Sequence, residues 1–115
     1  MVTFRQVRLA ALSMLGVREE RLFGEPAFCV QRTMFLAACA DRAHVLVRLT
    51  PRRQALLIAS SPVAYRAVEG VHGHQGWTQV ALARVSLDQL VPVLLYAWRA
   101  ANPSLRALTQ VARTP

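Results

Sequence analysis

The chain has 115 residues, which fits one domain over residues 1–115 and leaves no room for a second of ordinary size. Its 54% apolar content and mean hydropathy of +0.28 exclude intrinsic disorder, because burial can offset the entropy of ordering the chain. The longest apolar run, Leu90 to Trp98, is 9 residues, and a membrane-spanning helix needs roughly 20, so the composition predicts a soluble protein with no membrane span.

The basic excess needs weighing before use. All 14 basic residues are arginine, and Ala, Leu and Arg dominate the sequence, a skew that reflects general composition as much as selection at one site. A formal net charge of +8 and a pI near 11.4 survive that objection. Such a charge suits a polyanionic partner, and it also keeps a small protein in solution.

Thr3 followed by Gln6 has the spacing of a capping box and predicts a helix starting there. Phe4, Val7, Ala11 and Met14 fall on one face at intervals of three and four, and Gly16 supplies a residue able to end the helix. Arg5 and Arg8 ahead of Leu9–Leu15 imitate a signal peptide, but no small-residue cleavage site follows and the run ends at Arg18, Glu19 and Glu20. An amphipathic helix accounts for the segment better, and the expected compartment is the cytoplasm.

From Glu19 to Leu49 the period changes to two and predicts four short strands in a meander. The first ends at a break over Gly24-Glu25-Pro26, and the second covers Ala27 to Val30. A turn at Gln31-Arg32 leads to a third strand over Thr33 to Ala40. A turn at Asp41-Arg42 leads to a fourth over Ala43 to Leu49. There Ala43, Val45, Val47 and Leu49 share one face, with His44, Leu46 and Arg48 on the other. A pivot at Gln31-Arg32 sets Phe28 opposite Phe35 as a cross-strand aromatic pair.

Thr50-Pro51 is an N-cap followed by proline at the first helical position, predicting a short helix through Ala59 that Ser60-Ser61-Pro62 ends. A glycine- and histidine-rich connection, Gly70 to Gly76, precedes a strand from Trp77 to Leu82. Ser86 with Gln89 opens the last helix, which runs to Ala101 before Asn102-Pro103. Pro92 inside it predicts either a kink or a tight first turn. Apart from Arg99, residues 90–101 carry no charge, so this helix is either central to the fold or the contact of a homodimer.

Helix, four-stranded meander, short helix, strand and long helix make an α+β arrangement, an antiparallel sheet with helices packed on one face. Gly24-Glu25-Pro26-Ala27-Phe28, with Phe35 following in Thr33-Met34-Phe35, resembles the G-x-P-x-F…K-M-F signature of the MmcQ/YjbR family. His74-Gln75-Gly76-Trp77-Thr78-Gln79-Val80-Ala81-Leu82 resembles that family's G/H-W-x-x-V-x-L segment, and Tyr96-Ala97-Trp98-Arg99-Ala100 resembles its C-terminal helix. The likeness runs from about residue 3 to 101 and implies a CyaY-like fold and a DNA-binding role. Two positions depart from the family pattern: Thr33 stands where a lysine is usual, and Glu25 where the residue before the proline is often basic. The signature residues Gly24, Pro26, Phe28, Phe35, Gly76 and Trp77 have a structural logic of their own, in turns and in the packed faces of strands.

Few catalytic signals are present. Six acids and three histidines show no spacing for nucleophilic catalysis, and no G-x-S-x-G, P-loop or dinucleotide-binding glycine pattern occurs, so no enzyme and no cofactor are expected. Cys29 and Cys39 do not make a disulfide framework. The strand reading sets Cys29 opposite Met34 and Cys39 opposite His44, too far apart along the strands to bridge. His72 and His74 lie in a loop, and four ligands do not converge for a metal.

Alternation of turns along the meander carries the main functional expectation. The Gln31-Arg32 turn lies at the sheet end opposite Gly24-Glu25-Pro26 and Asp41-Arg42. The fourth strand finishes at the Gln31-Arg32 end, where Pro51-Arg52-Arg53 opens a helix. Arg32, Arg52 and Arg53 should therefore cluster, away from Glu25 and Asp41, and contact the phosphates of DNA. The expected function is a non-catalytic DNA-binding module. The alternative is an interaction module without a nucleic-acid role, either a homodimer through the 90–101 helix or a binder of a small anion.

Overall fold

A computed structural model describes residues 1–102. The expected helix end at Asn102 is observed, while Pro103 lies outside the described residues.

The first helix, α1 (Phe4–Leu12), begins as its capping box requires, with the Thr3 hydroxyl accepting from the Gln6 amide and the Gln6 side chain accepting from the Thr3 amide. Phe4, Val7 and Ala11 are its buried stripe. The helix stops at Ser13, whose hydroxyl donates to the Ala10 carbonyl, and Gly16 (φ +77°) turns the chain into the sheet.

Four strands follow as a meander: β1 (Val17–Leu22), β2 (Glu25–Val30), β3 (Thr33–Ala38) and β4 (His44–Arg48). The expected break at Gly24-Glu25-Pro26 is narrower. Phe23 and Gly24 alone make the turn, both with positive φ (51° and 82°), while Glu25 and Pro26 belong to β2 opposite Leu22 and Arg21. A two-residue loop with positive φ at both positions matches the right-handed twist of its strands. Hydrogen-bonded and non-bonded pairs alternate from the closing Leu22–Glu25 pair. The missing N–H of Pro26 therefore faces β3, whose pairing starts only at Ala27.

The turn at Gln31-Arg32 is observed, but Phe28 does not face Phe35. Phe28 pairs with Leu36, Cys29 with Met34, and Phe35 is the extra residue of a β-bulge. The bulge lets two consecutive side chains, Phe35 and Leu36, turn into the core together, where both are fully buried. The aromatic partner of Phe28 is Phe4, with ring centroids 6.3 Å apart and planes tilted by 45°. β3 also ends at Ala38, two residues earlier than expected, because Asp41 closes the following loop by accepting the amides of Ala43 and His44.

The second half begins with α2 (Pro51–Ser60), capped by Thr50 as expected and ending at Ser61. Strand β5 (Tyr65–Ala67), the one-turn helix α3 (Val71–His74), strand β6 (Trp77–Ala81) and a short 3₁₀ turn (Leu82–Arg84) lead to α4 (Leu87–Ala101). β5 and α3 are additions to the expected elements, and the last strand stops one residue short of Leu82. The sheet is six-stranded and antiparallel throughout, in the order β1-β2-β3-β4-β6-β5.

Helices α1, α2 and α4 cover one face. Val45, Val47, Thr78, Val80, Phe28 and Leu36 point at them, with the buried α4 residues Leu90, Val93, Leu94 and Ala97 opposite. Each buried leucine or phenylalanine there contributes about 1.5–3 kcal/mol relative to exposure. The Gln54 amide pins α2 to β6, donating to the Trp77 carbonyl at 2.9 Å and the Thr78 hydroxyl at 3.1 Å. Thr78 in turn donates to the Gly76 carbonyl at 3.0 Å, so this buried polar group is satisfied. α4 continues unbroken through Pro92, which sits on the solvent side, where the Asp88 carbonyl it leaves unpaired can be hydrated. One stripe of it, Leu90, Val93, Leu94, Ala97 and Ala101, is buried against the sheet and α1, the central position that was one of the two options, while Leu95 and Tyr96 stay exposed on its other side.

Candidate nucleic-acid interface

Because the sheet is antiparallel, its connections sort to two ends. The Gln31-Arg32 turn, the start of β3, the end of β4, the start of α2, the α3 segment and the end of α4 lie at one end. The Phe23-Gly24 turn, the Cys39–Ala43 loop and the start of α4 lie at the other.

At the first end, Thr33, Arg48, Thr50 and Pro51 line one cleft together with Ala100 and Ala101 of α4. The hairpin tip is tied to α4 by the Gln31 side-chain amide donating to the Asn102 side chain at 3.2 Å. Arg32, beside Thr33, and Arg52, beside Pro51, are exposed at this common end. Arg53 starts from the same helix turn, but its guanidinium leaves them and lies over the Tyr96 ring of α4, 3.8 Å from its centroid. The structure therefore brings Arg32 and Arg52 to one rim and directs Arg53 along α4.

Two further arginines stand at this end that the sequence reading did not assign to it. Arg48 is the last residue of β4 and Arg99 lies in the last turn of α4; both are exposed. Arg48 was legible in principle, since it precedes Leu49-Thr50-Pro51 and alternates away from Val47. Arg99 was not, because only packing carries the end of α4 to the β4 end of the sheet.

The acids are distributed differently. Glu19 holds Arg8 at 3.0 Å, Glu20 holds Arg18 at 2.9 Å, and Glu25 holds Arg42 at 3.5 Å. Asp41 accepts from the His44 ring at 2.9 Å, and that bond, followed by the Ala43 amide, holds its carboxyl below the usual carboxylate range. All four acids sit in β1 or at the far end, Glu20 on the sheet face away from the helices. Arg32, Arg48, Arg52 and Arg99 have no acidic partner among the described residues. Glu69, in the connection that Val68 anchors to the Trp77 carbonyl, is the acid on the basic side.

The signature residues occupy structural positions. Phe28 and Phe35 are core, and Pro26 is buried in β2. Gly24 makes the first turn with open space around it. At Gly76 a Cβ would stand 1.7 Å from the Leu49 carbonyl oxygen, so glycine is required for β4 and the α3 loop to meet. Trp77 is half-buried opposite Arg48, on the sheet face away from the helices.

Chemistry beyond charge is sparse. Cys29 and Cys39 are free thiols, opposite Met34 and beside His44 as the strand order implied. Burial pushes both thiols up, and Glu20 beside Cys29 and Asp41 beside Cys39 add to it, so neither is an activated nucleophile. His72 and His74 on α3 lie at the opposite end from Cys39 and His44. Among the described residues no three His, Cys, Asp or Glu side chains converge as metal ligands. No helix among them is long and apolar enough to cross a membrane.

A family model described as YjbR matches residues 12–100. Among solved structures, the chain is similar to the crystal structure of Deinococcus radiodurans protein DR2400, which carries a DUF419 domain. The TM-score is 0.70 at 18% identity, covering 82% of this chain and 74% of that one. That likeness is one of fold. No curated protein matches the chain.

Proposed function

The chain belongs to the YjbR family, and from that premise we propose that it is a non-catalytic, cytoplasmic DNA-binding module that grips phosphates at its arginine-rich sheet end. The observation carrying this reading is a cluster of exposed arginines. Arg32, Arg48, Arg52 and Arg99 have no acidic partner among the described residues at one end, where Glu69 is the acid, while Glu19, Glu25 and Asp41 are engaged elsewhere; Arg5, Arg21, Arg66 and Arg84, away from this end, also lack an acidic partner. Unneutralised guanidinium groups gathered on one rim suit a polyanion, because each phosphate contact releases condensed counterions. No helix among the described residues offers a row of base-reading side chains to a groove, so the contact is with the backbone and carries little sequence preference. Measuring duplex DNA affinity against salt tests it: a steep inverse dependence is expected, and affinity that does not change with salt would refute the reading.

A second reading, self-association through the 90–101 helix, draws on Leu95 and Tyr96, which are 43% and 38% exposed on α4. Sedimentation over a wide concentration range separates the two, since a dimer through α4 would cover Tyr96 and protect it from solvent quenchers.

A further inference from the structure

At the basic end the start of β3, the end of β4, the start of α2, the α3 loop and the end of α4 surround a cleft of about 350 Å³. Its polar lining is Thr33, Arg48, Thr50 and Gln75, and no carboxylate faces it. The side chains of Thr33, Arg48 and Gln75 make no hydrogen bond or ion pair with any described residue. The Thr50 oxygen accepts the Arg53 amide, which leaves its hydroxyl proton to donate outward. Four residues with side chains able to donate therefore line the cleft, Arg48 from the last position of β4, where the chain leaves the sheet.

Two helix ends meet here with opposite sign. The start of α2 contributes about half a positive charge and the last turn of α4, through Ala100 and Ala101, about half a negative one. They oppose each other, so the full charge of Arg48 sets the sign of the cleft. The backbone around Gln75 is closely packed. Gly73 and Gly76 press against the carbonyls of Val68 and Leu49, where a Cβ would approach to 1.8 and 1.7 Å, and the Gln75 amide is bonded to Val71 and His72 carbonyls at 3.1 Å.

We propose that this cleft is a phosphate site, in which Arg48 supplies the charge and Thr33, Thr50 and Gln75 the neutral hydrogen bonds. Its volume lies at the lower end of small-ligand sites, suiting one phosphate with its attached sugar. The choice of phosphate among anions rests on the DNA-binding reading above. The same chemistry is offered by a phosphate of the nucleic-acid backbone or by a free phosphomonoester.

The test is an NMR titration of isotope-labelled full-length protein with inorganic phosphate, against chloride at equal ionic strength, read at the Gln75 side-chain amide and the Arg48 Nε–H. Saturable shifts specific to phosphate are expected at Gln75. Arg48→Ala should weaken them by about ten- to a hundredfold, the loss of one charge-assisted hydrogen-bonded contact, and Arg48→Lys should restore part of the affinity. Equal shifts with chloride, or shifts unchanged in Arg48→Ala, overturn the proposal. Because Arg48 is exposed, the variant should stay folded, and Gln75→Ala provides an independent loss of the neutral donor. Adenosine monophosphate and a DNA dodecamer without terminal phosphates distinguish the sources: saturation by the monophosphate alone identifies a phosphomonoester site, and shifts with the dodecamer identify a backbone site. Phosphate binding without duplex affinity would refute the DNA reading and keep the cleft. Salt-dependent duplex affinity with no phosphate shift would refute the cleft and keep the DNA reading.

Discussion

The Arg53 guanidinium lies over the Tyr96 ring, 3.8 Å from its centroid, and joins α2 to α4 across the helical layer. Arg53 consequently differs from Arg32 and Arg52, which carry no such contact. Replacing Arg32 or Arg52 by alanine should lower the slope of log affinity against log salt by about one each, with stability unchanged. Arg53→Ala should also cost about 0.5–1 kcal/mol of folding stability through the lost cation–π contact. Salt titrations of duplex affinity alongside urea denaturation check both, and an unchanged slope in the Arg32/Arg52 double variant would remove these residues from the interface.

The bulge at Phe35 gives a packing prediction. Phe35→Ala should cost about 3–5 kcal/mol, because the side chain is fully buried between β3 and the helices. Met34, its neighbour, pairs with Cys29 on the opposite face and is half-buried, so Met34→Ala should cost less than half as much. Equal costs, measured as shifts in the urea midpoint, would contradict the register.

Two backbone positions should respond in opposite directions. Phe23 is 98% exposed with φ 51° in the first hairpin turn, where a bulky side chain is disfavoured. Phe23→Asn should stabilise the protein by about 0.5–1 kcal/mol, since asparagine suits that conformation and no packing is lost. Gly76→Ala should cost about 3 kcal/mol or more, because its Cβ meets the Leu49 carbonyl and the Leu49–Gly76 hydrogen bond of 3.0 Å must break. Thermal unfolding of the two variants is a sufficient comparison.

The thiols predict an alkaline dependence. Burial first, and then Glu20 and Asp41 respectively, raise Cys29 and Cys39 above the ordinary thiol range. A group raised on folding leaves stability intact below its unfolded value, and stability is lost as pH rises through the folded value. The urea midpoint should therefore fall as the pH passes about 8.5, and less so in a Cys29→Ala/Cys39→Ala variant. Alkylation of both thiols near pH 8 should be slower in the folded protein than after unfolding.

Much of the fold is decided by neighbours in sequence. Thr3 with Gln6, Thr50 with Pro51, and Ser86 with Gln89 start their helices because each cap is made within four residues, whatever the rest of the chain does. The faces of β4 follow from strict alternation, and the sorting of Arg32 and Arg52 to one end follows from counting antiparallel turns. The local turn at Gln31-Arg32 is legible for the same reason.

Tertiary packing decided the rest. Period two fits the β2–β3 hairpin with Phe28 opposite Phe35 or opposite Leu36, and only the volume of the core selects the bulge that buries both residues of the Phe35–Leu36 pair. β5 has three residues and exists because β6 offers an edge to pair with, a partner no local pattern reveals. The cleft around Arg48 brings together residues from Thr33 to Ala101, and Arg53 meets Tyr96 only after two helices settle side by side on the sheet. Caps and alternation are contacts within a few residues, so the sequence by itself determines them. The bulge, the edge strand and the cleft are contacts across the chain, and the competition for core volume chooses among arrangements that are locally equivalent.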